Sequence, residues 1–288
     1  MVRALIAGGM ACGFAFAGGD NYVASVERWR ATSEAALKAE DGWLAVAGLF
    51  WLNEGDNAAG AAAGSDIALP GGPARLGVFS LNKGLVTFRA ADGVDVKIDG
   101  KAATEAALRT DAEATPDTVE TGELTMFAIQ RGERYAIRLR DKNSEMRRNF
   151  TGLRWYPVQE RYRVMAVFHT YPETKTILVP NILGEKVPSP SPGYAEFDLN
   201  GEHLRLQPVL EGTQLFFVFR DKTAGRTTYG SGRFLYSDLA KDGKVTLDFN
   251  KAYNPPCAFT PYATCPLPIP ENRMPVVIEA GELNYGSH

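Results

Sequence analysis

Hydrophobic positions along the chain change period once, near residue 42. From Asn21 to Glu40 the apolar residues Val23, Val26, Trp29, Ala36, Leu37 and Ala39 recur at intervals close to a helical turn, which predicts an amphipathic helix within residues 21–42. Gly42 is the stop signal. The compact run Trp43–Leu52 predicts a buried strand or strand-turn with Trp43 and Trp51 packed in a core.

Beyond Asn53 the pattern is short alternating runs separated by turn residues. Val78–Leu81 and Leu85–Phe88 flank Asn82-Lys83-Gly84, and Val94–Ile98 lies between Asp92-Gly93 and Asp99-Gly100, both read as hairpin turns. Leu124–Ile129 pairs naturally with Tyr135–Leu139 across Arg131-Gly132-Glu133. A second set starts after Val158: Arg163–Phe168, Thr176–Val179, then a Pro/Ser loop over Pro188–Gly193. Asn200-Gly201 reads as a further hairpin, and Leu215–Phe219 as a central strand because it is apolar without alternation. The resulting fold class is mainly β: an N-terminal helix, a sandwich-like unit over residues 43–158, and a second sandwich- or barrel-like unit over residues 159–285 that shares an interface with it.

Composition sharpens this picture without naming a function. A net charge of -3 over 288 residues argues against a basic nucleic-acid-binding face. The 29 glycines and 17 prolines favour many turns over long helices. Residues 1–17 carry Arg3, a short apolar stretch and Ala15-Phe16-Ala17, the features of a secretory signal peptide, too short to span a bilayer. This places the chain in the periplasm or outside the cell; a lipid anchor on Cys12 and a plain cytoplasmic N-terminus are the competing readings.

Two cysteines, Cys257 and Cys265, lie beyond the leader and are bracketed by Pro255, Pro256, Pro261 and Pro266. In an oxidising compartment a disulfide is the default, with buried or reactive thiols as the alternative. That segment has neither a CxxC spacing nor a histidine, so no metal site and no cofactor is expected. His169 ends an apolar strand and reads as a packing residue, and no G-x-S-x-G element places a serine nucleophile.

Two clusters are the candidate binding residues. Arg220, Asp221, Arg233, Asp248 and Glu271 supply guanidinium and carboxylate groups suited to anion binding or acid–base work, or to pinning loops over a sheet end. Tyr229, Asn250, Tyr253, Asn254 and Asn272 surround the proline-stiffened stretch 253–262, which offers an aromatic binding wall or an ordered lid.

The runs LFFVFRDKTAGRTTYGSGRFLY and LDFNKAYNPPCAFTPYATCPLPIPENRMPVVIEAGE, with GWLAVAGLFWLNEGDNAAG and IRLRDKNSEMRRNFTGLRWYPV, resemble the DUF1684 family of bacterial and archaeal proteins of unknown function. The resemblance extends from about Trp29 to Tyr285 and implies no established activity. The run from Gly60 through Ser65–Leu69 looks like the opening of a forkhead-associated sandwich. That likeness implies a scaffold only, since Ala61 follows Gly60 and no histidine precedes His169. The function expected is binding of a small molecule or a cell-envelope glycan by an envelope-associated protein. The alternative is a hydrolase using Arg220, Asp221, Arg233 and Asp248.

Overall fold

The computed structural model describes residues 17–113 and 115–286, so the leader and Cys12 lie outside the described residues. Helix α1 (Ala17–Lys38) ends before Gly42. Its buried face is Tyr22, Val26, Trp29, Arg30, Ser33 and Leu37, the three-to-four spacing of a helix lying on one surface. Val23, expected on that face, is exposed, because it falls one position off the stripe.

The strands of the first half are β1 (Val46–Trp51), β2 (Gly55–Gly60), β3 (Ile67–Ala68), β4 (Gly77–Asn82), β5 (Leu85–Ala90) and β6 (Lys97–Ile98). They continue with β7 (Lys101–Ala102), β8 (Glu105–Leu108), β9 (Thr118–Thr121), β10 (Leu124–Arg131) and β11 (Arg134–Asp141). These strands make a six-stranded sheet, β1-β11-β10-β9-β6-β7, and a five-stranded sheet, β3-β2-β4-β5-β8. Alternation sends Phe79 and Phe88 from one sheet, and Met126, Ile137 and Leu139 from the other, into one core. The opposite face of β10 and β11 carries Phe127, Ile129 and Arg138, and it is also buried.

The second half has β12 (Arg163–Pro180), β13 (Lys186–Leu199), β14 (Glu202–Leu206), β15 (Val209–Glu211), β16 (Gln214–Phe219), β17 (Arg233–Asp238) and β18 (Lys244–Asp248). A four-stranded sheet, β14-β13-β12-β18, packs on a three-stranded sheet, β15-β16-β17. The sheets are open, and the molecule is mainly β with an N-terminal helix. The apolar run in β16 is central, as its pattern predicts. Leu215, Phe217 and Phe219 enter the core between the sheets, while Phe216 and Val218 fill the other side.

Turn chemistry holds at most positions. Asn200 and Gly201 take φ of 54° and 82° between β13 and β14, the left-handed pair that a two-residue hairpin turn requires. Asp99-Gly100 joins β6 to β7 in the same way. Asp92-Gly93 does not close a hairpin: β5 is already paired on both sides, with β4 and β8, so the chain leaves for the other sheet.

The Pro/Ser loop expected over Pro188–Gly193 is instead strand, paired with β12 from Lys175 to Pro180. Pro188, Pro190 and Pro192 alternate, and backbone N–H groups alternate between the two edges of a strand. All three missing donors therefore fall on one edge. Val187, Ser189 and Ser191 are left to bond β12, and the proline edge stays free until β14 pairs from Ala195 onward.

Candidate functional site

An apolar cavity with a volume of about 830 Å³ lies behind the three-stranded sheet. Phe216, Val218, Phe234 and Tyr236 form its floor, which is why β16 and β17 are apolar on both faces. Helix α1 roofs it with Trp29, Ser33 and Leu37. Ile177, Val179 and Val187 of the long β12–β13 hairpin close one side, and Pro256, Phe259 and Ile269 of the proline-rich segment close another.

A line of aromatic rings crosses this space. Phe216 stacks on Tyr236 at 4.7 Å between centroids, and Tyr236 lies parallel to Tyr253 at 6.5 Å. Tyr253 meets Trp29 at 6.2 Å, and Trp29 meets Trp155 edge-on at 5.9 Å. The helix therefore docks through the same rings that line the cavity. Tyr22 Oη donates to Asp248 at 2.7 Å, and Arg30 donates to the Asn250 carbonyl at 3.1 Å, which tie α1 down at its outer side.

Glu282 is the polar centre of the wall and is only 2% exposed. The chain places it by pairing with Trp155 and by the Glu282 N–H donating to the Ala252 carbonyl at 2.8 Å. Gly281 makes this possible. Its φ is 80°, and a Cβ there would sit 2.5 Å from the Ala252 oxygen. The backbone N–H of Asn254 donates to Glu282 Oε2 at 2.9 Å, and its side-chain Nδ2 donates to Oε1 at 2.8 Å. Burial nevertheless dominates and pushes the Glu282 carboxyl up to about 8, so at neutral pH it is mostly a neutral acid with an O–H to give. Asn254 Oδ1 is buried and has no hydrogen-bond partner.

Cys265 lies on the same wall and is buried; Cys257 is half-buried beside it. The expected disulfide is not formed. Both are free thiols, and the Cys257 N–H points at Cys265 Sγ at 3.3 Å. The pair titrates as a unit: a hydrogen bond from Cys265 pulls Cys257 down to about 7, while that same bond and burial push Cys265 up. Tyr229 Oη donates to the Cys257 carbonyl at 3.0 Å.

The charged cluster is arranged differently. Arg233 and Asp221 form an ion pair at 3.3 Å with both side chains 1% exposed. Arg233 also donates to the carbonyls of Ala280 and Ile278, and Asp221 accepts from the Ile278 N–H and Thr223. These bonds pin the C-terminal segment to the sheet. Neither residue lines the cavity, nor do Arg220, Asp248 and Glu271. Arg220 serves through its backbone, which pairs with Arg273, and Glu271 is exposed. Asp248 and Asn250 sit together under Tyr22. Asn272 reaches the cavity, but its amide is occupied by Gln207 and Val218. His169 faces Glu196 across the hairpin at 2.8 Å, on the surface.

The model of the family described as "Protein of unknown function (DUF1684)" matches residues 148–283. The chain belongs to the DUF1684 family. The solution NMR structure of an uncharacterised protein from Haloarcula marismortui is 32% identical over 48% of this chain and 78% of that one, with a TM-score of 0.41. No curated protein matches the chain.

The DUF1684 match includes Trp155, Tyr253, Asn254, Cys257, Cys265 and Glu282. The roof residues Trp29, Ser33 and Leu37, and the wall residues Trp43 and Arg131, lie before it. Of the predicted binding residues, the cavity gathers Tyr253, Asn254 and Asn272, with Cys265. Sequence reasoning missed Glu282, Trp29, Trp155 and Tyr236. For Glu282 a signal exists: an acid directly after a glycine, in a tail whose other inward positions, Val276, Ile278 and Ala280, are apolar.

Proposed function

We propose that this protein binds a largely apolar small molecule whose single polar end both donates and accepts a hydrogen bond, such as a long-chain alcohol or acid. The observation that carries the reading is Asn254 Oδ1, a buried acceptor without a partner, beside the neutral acid Glu282 on the wall of an aromatic cavity. An unmet buried acceptor costs about 1–3 kcal/mol, and a ligand hydroxyl recovers it. The volume suits a drug-sized molecule. Walls of Trp, Phe, Tyr and aliphatic side chains favour such a ligand over a glycan, which needs many more hydrogen-bonding groups.

Tryptophan fluorescence with 1-decanol and its methyl ether tests this. The alcohol is expected to bind about tenfold more tightly, the equivalent of one hydrogen bond. Equal affinity for the two probes, or no binding of either, refutes it.

The leader-like segment with Arg3 and Ala15-Phe16-Ala17 supports an extracytoplasmic site of action. N-terminal sequencing of the protein from its own host checks this: a start at Gly18 agrees, and a retained Met1 in soluble protein opposes it. The hydrolase reading needs Arg220, Asp221, Arg233 and Asp248 to meet at a cavity. The saturation of the Arg233–Asp221 pair by backbone partners favours a pinning role for those two.

A further inference from the structure

The paired thiols lie in a setting that the ligand-binding reading does not use. Pro255, Pro256, Pro261 and Pro266 bracket the loop, and its backbone is fixed further by Thr260 Oγ1 donating to the Val46 carbonyl at 3.2 Å. Both cysteines pack in one apolar cluster with Trp43. Over the Trp43 ring, 4.9 Å from its centroid, sits the guanidinium of Arg138. Arg138 is buried, its Nε and Nη2 have no hydrogen-bond partner, and it forms no ion pair among the described residues. A buried cation favours an anion nearby: Asp111 is one such group, with Arg131 and Arg140 also close, and Cys265 is the thiol within reach of its charge.

We propose that Cys257 and Cys265 form a thiol–disulfide exchange site for low-molecular-weight disulfides at the edge of the cavity, with half-buried Cys257 attacking and buried Cys265 resolving. In the first step the Cys257 thiolate attacks one sulfur of the disulfide RSSR. A mixed disulfide forms, and RS⁻ leaves and takes up the proton lost by Cys257. In the second step Cys265 gives its proton to the departing group while its sulfur attacks Cys257 Sγ, expelling the second RSH. Two electrons pass from the protein pair to the small disulfide, which leaves as two thiols. The Cys257 N–H donates to Cys265 Sγ at 3.3 Å and the two thiols share a hydrogen bond, so the sulfurs that must join are already neighbours. Because Cys265 is part of the cavity wall, the oxidation state of the pair reshapes that wall. A Cys257 thiol near 7 makes the first step speed up as pH rises through neutrality.

The test uses the full chain, reduced and then exposed to bis(2-hydroxyethyl) disulfide, with intact-mass and peptide analysis to separate Cys12 from the pair. Wild-type protein is expected to lose two hydrogens and to show a Cys257–Cys265 link. Cys265→Ser is expected to trap the probe on Cys257, and Cys257→Ser to leave Cys265 unreacted. Arg138→Met is expected to slow the second step, in which Cys265 attacks, about threefold, the consequence of one unit of lost stabilisation of the Cys265 thiolate. Arg138→Lys should restore most of the rate. Wild-type thiols that stay free, a mixed disulfide that persists in the wild type, or Cys265 reacting first in Cys257→Ser would each overturn the proposal. The wild-type arm decides even if a variant fails to fold.

Discussion

Asn254 grips both oxygens of Glu282, one through its backbone N–H at 2.9 Å and the other through its side-chain amide at 2.8 Å. Two donors on one carboxyl would ordinarily hold it ionised. Burial outweighs them, and the acid stays protonated up to about 8.

A pH dependence of stability follows. The folded-state value of Glu282 lies above its unfolded value, so the folded protein holds a proton that the unfolded chain releases. The stabilisation is fully present below the ordinary carboxylate range near 4.5 and is lost progressively as pH rises to about 8, where it levels off. Urea unfolding across that range should show the fall. Glu282→Gln should flatten it, because glutamine keeps the shape and carries no proton to lose.

Asn254→Ala removes both side-chain amide bonds, to Glu282 and to the Leu283 carbonyl, and removes the free acceptor. We expect about 1–3 kcal/mol of lost stability in urea unfolding. We also expect the preference for 1-decanol over its methyl ether to disappear.

Asp221→Ala leaves Arg233 charged, buried and without its carboxylate. Breaking such a pair costs about 3–5 kcal/mol. The double change Asp221→Leu with Arg233→Met should cost less than the single one. A double variant that is less stable than Asp221→Ala would show that the guanidinium bonds to Ala280 and Ile278 matter more than the pair.

Trp29→Ala removes the ring that joins Trp155 to Tyr253 and roofs the cavity. A loss of about 3–5 kcal/mol is expected for so large a truncation. Probe affinity should fall as well, since the helix that carries Trp29 closes the space.

The β-rich architecture was legible because its signals are local. Asn200-Gly201 and the alternating runs beside it specify a hairpin without help from the rest of the chain. The unbroken run Leu215–Phe219 announced burial on both faces, but not that one face lines a cavity. Pro188, Pro190 and Pro192 misled because composition was weighed before period: at alternate positions, prolines blunt a strand edge rather than break the strand. The unusual proline stretch draws attention to Tyr253 and Asn254, and both line the cavity. Glu282 and Trp29 carry no such local signal, because their places are set by residues distant in sequence: Trp155 pairs with Glu282, and Trp29 packs on Trp155 and Tyr253. Arg233 and Asp221 form a buried pair, and the backbone carbonyls that complete their shell have no sequence signature.

A crystal structure of the protein grown with 1-decanol tests the central claim most directly. The account predicts the alkyl chain along Trp29, Tyr253 and Phe216, with the hydroxyl between Asn254 Oδ1 and the Glu282 carboxyl. An empty cavity at saturating alcohol, or a hydroxyl turned away from Asn254 toward solvent, would contradict it.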